Sequence, residues 1–147
     1  MNKRDKRLAR TTALQTLYAC ELSGNDPGII LDHIKDEHSG DEISIKILEY
    51  SGQLARLSIN RADIFDEIIN SRSKFWGADR IALMDRLIIR LAISEMFYIE
   101  DVPPVVTITE AVEISKDFST ENSGRYINGI LDSVYKDLIR GKIEIPE

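Results

Sequence analysis

Apolar residues recur at helical spacing along most of the chain, and no stretch alternates convincingly as a strand would. Lys3, Arg7, Arg10, Leu14 and Leu17 follow one another by steps of four, three, four and three, with Tyr18 beside Leu14, so they share one helical stripe. That stripe begins cationic and ends apolar. Charges seldom enter a core unpaired, so the pattern predicts a first helix whose last two turns are packed and whose first two overhang. It should stop near Ser23-Gly24, where glycine can take the left-handed end position. Asp26-Pro27 reads as a cap and first-turn proline for a short second helix, with Ile30 and Ile34 inward and an end at Ser39-Gly40. From Asp41, the spacing of Ile43, Ile47, Tyr50, Leu54 and Leu57 predicts a third helix. Asn60 is placed to cap a fourth, which buries Ile64, Phe65, Ile68 and Ile69.

Ser71 to Ala78 breaks the period around Phe75-Trp76-Gly77, which predicts two helical halves, roughly 1–75 and 76–147, in one domain. Trp76 is expected to close over the core rather than to serve as a stacking platform. Asp79 should open the longest helix, to about Ile99, with Ile81, Met84, Leu87, Ile88, Leu91, Ala92 and Met96 inward and Asp85, Arg86, Arg90 and Glu95 on its wetter side. Asp101-Val102-Pro103-Pro104 ends it. Thr107-Ile108-Thr109-Glu110 has capping-box spacing and predicts the start of a sixth helix, carrying Ala111, Val112 and Ile114. A polar loop, Ser119 to Gly124, precedes a last helix from Arg125 to Arg140 that buries Ile127, Ile130, Leu131, Val134 and Leu138, with Gly141 beyond its end. Gly129 inside that helix suggests close approach of a neighbour. The fold class expected is all-α, a bundle of about seven helices joined by short loops.

Composition adds little until charge is resolved by position. At 147 residues, 43% apolar and 30% charged, the chain is long enough for one core without staples. The apolar run Leu87 to Ile93 is short and contains Arg90, so no membrane span is expected. Charge without an apolar segment behind it does not make the N-terminus a secretory signal. One cysteine, Cys20, cannot form an internal disulfide, which fits a reducing, cytoplasmic setting. The net charge is −6, yet five of the nineteen Lys and Arg lie in residues 1–10 against one of the twenty-five acids. That leaves fourteen bases against twenty-four acids beyond, so a segment at +4 opens a chain that is otherwise at −10. Such concentration of positive charge is a local device for an anionic partner. Lys3, Arg4, Lys6, Arg7 and Arg10 can neutralise phosphates, Gln15 can read a base edge and Tyr18 can stack, which suits single-stranded nucleic acid. The competing reading is a solvated helix end with Tyr18 in the core.

Catalytic patterns fail in turn. Gly124 and Gly129 have phosphate-loop separation, but Ile130-Leu131 stand where Lys and Ser or Thr are needed. His33 and His38 do not share a helical face and no second cysteine joins them, so no metal or other cofactor is expected. Cys20 lies in the apolar half of the first helix, where an inert thiol is the expectation. No constellation selects any pair of the many acids.

Four ordered blocks resemble one family, the bacterial transcription antitermination factors called NusB. Arg7-Leu8-Ala9-Arg10 through Ala13-Leu14-Gln15-Thr16-Leu17-Tyr18 is similar to its N-terminal signature. Arg90-Leu91-Ala92-Ile93-Ser94-Glu95, then Val102-Pro103 with Ile108-Thr109-Glu110-Ala111-Val112-Glu113, resemble its central and sixth helices. Tyr126-Ile127-Asn128-Gly129-Ile130-Leu131-Asp132 resembles Phe-Val-Asn-Gly-Val-Leu-Asp. The resemblance implies a non-enzymatic protein that binds boxA-type single-stranded RNA in ribosomal RNA leaders. It also implies pairing with NusE, a small-subunit ribosomal protein, and through it indirect action on the RNA polymerase elongation complex. The implied RNA contacts are Arg7, Arg10, Gln15 and Tyr18, with Lys3, Arg4 and Lys6 as further phosphate contacts. Asn122 stands at a loop position commonly occupied by aspartate, and the missing negative charge there favours RNA. The implied partner-facing residues are Asp85, Pro104 and Tyr126, the last lying off the buried stripe of its helix. Two other readings stay open: a helical scaffold that binds only protein, and the N-terminal module of a ribosomal RNA cytosine methyltransferase. The latter requires an α/β cofactor domain with a glycine-rich turn, which this sequence does not contain.

Overall fold

The computed structural model describes residues 1–37, 43–74 and 81–147, and places seven α-helices and no strand among them. They are α1 (Lys3–Ser23), α2 (Pro27–Glu37), α3 (Ile45–Asn60), α4 (Ala62–Ser73), α5 (Leu83–Tyr98), α6 (Pro104–Phe118) and α7 (Ser123–Ile139). His38, the Ser39-Gly40 helix end, the Asp41 helix start, Phe75-Trp76-Gly77 and the Asp79 helix start lie outside the described residues. The chain divides into two compact units, Met1–Asn60 and Arg61–Glu147. Helix α4 therefore belongs with the helices that follow it, whereas the hydropathy break had suggested a division near residue 75.

In the first unit α1 packs chiefly on α3, and α2 touches both. Ala9 and Ala13 are fully buried, and their small side chains let helices approach. The Ser51 hydroxyl on α3 donates to the Ala9 carbonyl at 2.9 Å, sharing its proton with Ile47 of its own helix at 2.8 Å. Leu14, Leu17, Ile47 and Leu54 fill the same interior, while Leu31 rather than Ile30 or Ile34 is the buried residue of α2. A Cβ on Gly52 would come within 3.2 Å of Leu31, so glycine permits that approach of α3 to α2. Gly24 ends α1 in the left-handed region, φ 75°, with its N–H on the Cys20 carbonyl. Asp26 caps α2 through a 2.8 Å bond from the Gly28 amide.

In the second unit α5 is buried along almost its whole circumference, from Leu87 through Phe97 apart from Arg90. This overturns the expected wet side: Glu95 and Asp85 are both buried. Glu95 accepts from the Thr107 hydroxyl of α6 at 2.7 Å. Thr107 is thereby a tertiary donor and not a cap; α6 starts earlier, at Pro104, whose ring presets the first helical φ. Helix α4 likewise begins after Arg61, with Asn60 ending α3, and its buried residues are Phe65, Ile69 and Ser73 while Ile64 is exposed. The longest helix is α1, at 21 residues against 16 for α5. Helix α7 buries Ile127, Ile130, Leu131 and Val134 as its period predicts, but it starts at Ser123 rather than Arg125 and leaves Leu138 half-buried in its last turn. Gly124 meets Val112 of α6, 3.3 Å from where its Cβ would be, whereas Gly129 lines a polar pocket beside Arg72 and Asp137.

Ion pairs bind α4 to its neighbours. Arg90 grips Asp66 with two hydrogen bonds, 2.9 and 2.6 Å, and Arg86 adds a third contact at 3.1 Å. Arg72 reaches Asp137 and Ser133 of α7. Burial by itself would raise the Asp66 carboxyl, but the hydrogen bonds and charges of Arg90 and Arg86 outweigh it and hold the group below its ordinary 3.8. A carboxylate depressed in the folded state adds stability that is complete above its unfolded pKa and is lost as pH falls through the folded one. Asp66→Asn is expected to cost about 2 kcal/mol at pH 7 and to flatten the decline in stability below about pH 4, measured by urea unfolding across pH. Equal acid sensitivity in variant and parent would refute that role.

Candidate nucleic-acid interface

The basic helix is set from its first residue. Asn2 lies in an extended conformation and its side-chain oxygen accepts from the Asp5 amide at 2.8 Å, so Lys3 and Arg4 are already helical. Their cations therefore sit at the positive end of the α1 dipole, which reinforces attraction for an anion. Asp5 is the acid of that turn and tempers it.

Burial splits the stripe predicted from the sequence. Lys3, Arg4 and Arg7 are exposed and Lys6 is half-buried, but Arg10 is only 6% exposed and is engaged within the protein. The overhang thus covers less than the first two turns. Arg10 belongs to the packed side with Leu14 and Leu17, because Arg7 lies at the edge of the open face and three further residues turn the helix about 60° toward the interior. The neighbouring stripe, Arg4, Arg7, Thr11, Gln15, Tyr18 and Leu22, at steps of three, four, four, three and four, is exposed at every position but the half-buried Thr11. Tyr18 is 38% and Leu22 68% exposed, so Tyr18 is not a core residue. The stripe runs about 27 Å along the helix. It passes from guanidinium through hydroxyl and amide to an aromatic and an aliphatic side chain. Phosphates suit one end and unstacked bases the other. Thr11 and Leu22 were not singled out from the sequence; reading the helix face one position over from the apolar stripe would have found them.

On the same helix, burial first, and then the charges of Asp26 and Glu21, raise the Cys20 thiol above its ordinary 9.0, which agrees with an inert side chain. Among the described residues no group of three His, Cys, Asp or Glu could hold a metal ion, and no helix is long and apolar enough to cross a membrane.

The remaining candidates lie in the second unit. Asn122 is exposed at the start of α7 and makes no side-chain cap bond. Asp85 is 8% exposed, with its two oxygens taking the hydroxyls of Ser119 and Ser123. Those bonds leave it turned inward, unlike the partner-facing position expected of it. Pro104 is half-buried in the first turn of α6, beside the exposed Val105 and Val106. Tyr126 is less open than its off-stripe position suggested: it is half-buried and its hydroxyl is enclosed without a hydrogen bond. Burial raises that phenol above 10.0, Arg86 opposes the rise and Asp85 adds to it.

These features have counterparts in known proteins. The NusB family model matches residues 7–136. A transcription antitermination protein NusB from Thermodesulfovibrio yellowstonii is 38% identical over 141 residues, covering 91% of this chain and 93% of that protein. T. maritima NusB superposes with a TM-score of 0.78 at 31% identity, covering 94% of this chain and 97% of that one. A chain from a crystal structure of antitermination factors NusB and NusE in complex with dsRNA gives 0.78 at 25% identity, over 92% and 98%. By sequence across most of its length and by fold, the chain belongs to the NusB family of transcription antitermination proteins, which are not enzymes.

Proposed function

We propose that the protein binds boxA-type single-stranded RNA of ribosomal RNA leaders and, together with NusE, modifies elongating RNA polymerase in the cytoplasm. The observation that carries this reading is the exposed α1 stripe from Arg4 through Arg7 and Gln15 to Tyr18. Lys3, Arg4, Lys6 and Arg7 hold phosphates and position the strand, and Gln15 and Tyr18 read and stack bases. Arg10 supports the helix from its packed side. Asn122 adds a polar contact from the start of α7, and the α6 turn at Pro104 together with Tyr126 faces NusE.

A second reading has an observation of its own, since the NusB and NusE complex that resembles this chain holds double-stranded RNA. Titration of the full chain, with and without NusE, separates the two. The ligands are a boxA strand, a scrambled strand of equal length and a boxA duplex, each across a salt series. The single-strand reading expects preference for boxA and a log–log salt slope near −0.7 per phosphate contacted. Preference for the duplex, at a slope near −0.9 per phosphate, would replace it with the second reading. Tight NusE binding with no gain on adding either RNA would leave a protein-only scaffold.

A further inference from the structure

We propose that Asp85 is a positioning residue that holds the turn before α7 and so presents the Asn122 side chain to RNA. This rests on the RNA-binding reading above. Asparagine at the residue before a helix ordinarily spends its side chain on the first-turn amides. Asn122 does not: it has helical angles, φ −82° and ψ −14°, and no side-chain cap bond, and it is exposed. Asp85 instead ties the turn down through its hydroxyls. Its carboxylate lies in the first turn of α5 and bonds Ser123, the first residue of α7, at 3.0 Å, so one buried anion serves the positive ends of two helices.

The carboxylate also organises the turn between α6 and α7. Ser119 donates to its other oxygen, Ser119 and Ser123 hydroxyls lie 2.9 Å apart, and Thr120 is 2.9 Å from Ser123. The Ser123 amide returns to the Thr120 carbonyl at 3.1 Å. Two hydroxyls from one short turn thus converge on a single buried acid, and a third, on Thr120, braces Ser123. Asn122 is the exposed residue of that turn adjoining α7, and it is carried by this framework without being part of it.

The sign of the effect distinguishes position from charge. Removing an anion near an RNA surface strengthens binding if only Coulomb attraction acts. Loss of the framework weakens binding, and only while Asn122 is present. The test is a double-mutant cycle on the full chain with the boxA strand. Asp85→Asn is expected to weaken binding about five-fold in the parent and less than about two-fold in an Asn122→Ala background. Ser119→Ala, at a half-exposed position, should follow the same pattern if Asp85→Asn folds poorly. Equal losses in both backgrounds, or tighter binding, overturn the proposal. Amide exchange without RNA reads the framework directly: Asp85→Asn and Ser119→Ala should speed exchange at Ser123 to Tyr126 about ten-fold and leave α1 unchanged. Unaltered protection there refutes it whatever RNA does. Parent protein that ignores boxA while amide exchange responds as expected would instead indict the RNA-binding reading.

Discussion

Arg7→Ala and Arg10→Ala are expected to fail in different assays, although the two residues are one turn apart on the same helix. Arg7 is exposed, so its removal should change stability by no more than about 0.5 kcal/mol. It should lower boxA affinity about ten-fold near 0.1 M salt and make the salt slope shallower by about 0.7, the loss of one phosphate contact. Arg10 is 6% exposed and engaged inside the protein. Truncating a buried charge strands whatever it satisfied, at about 3 kcal/mol, and should lower the denaturant midpoint while leaving the salt slope as it was. A paired measurement of urea unfolding and RNA salt dependence decides both. If Arg10→Ala melts like the parent and flattens the slope, the division of α1 into a supporting and a binding side is wrong.

Phe65→Ala should be among the most damaging single truncations in the second unit, at about 3–5 kcal/mol. Phe65 is fully buried and meets Phe97 edge-on, ring centres 6.0 Å apart at 82°, so the substitution loses both transfer energy and an aromatic contact. Against the ~5–15 kcal/mol of an ordinary domain this is at least about a fifth of the total. The control is its neighbour: Ile64 is exposed, and Ile64→Ala should stay within about 0.5 kcal/mol. Similar losses at the two positions would mean that the inward face of α4 is misassigned.

The helices were legible because their apolar periods are long, as in α7, where four of the five residues expected inward, Ile127, Ile130, Leu131 and Val134, are buried and Leu138 in the last turn is half-buried. Helix ends were legible where glycine or proline dictates backbone angles, at Gly24, Pro27 and Gly141. They were not where a polar residue had two possible employments. Thr107 has the spacing of a cap but gives its hydroxyl to Glu95, and Asn60 finishes one helix instead of starting the next. Buried charge was the other blind spot. Local hydropathy assigns Asp85, Glu95 and Arg10 to the surface; the donors that make burial tolerable for Asp85 stand 34 and 38 residues away. At the candidate interface Gln15 and Tyr18 are exposed, whereas the sequence pattern left a core position open for Tyr18 and grouped it and the basic residues with the apolar stripe. The open face is the one beside it.

That adjacency makes α1 sensitive to length as well as to composition. One side of the rod is the interior of the first unit, and the side next to it displays Arg7, Gln15 and Tyr18. Each residue turns a helix by about 100°, so deleting one residue between Arg7 and Gln15 would rotate the cationic end against the aromatic end by that angle. Inserting seven residues there would nearly restore the phase but move the two ends about 10 Å farther apart. Substitutions along α1 are therefore separable by face, whereas changes of one or two residues in its length strike packing and recognition together.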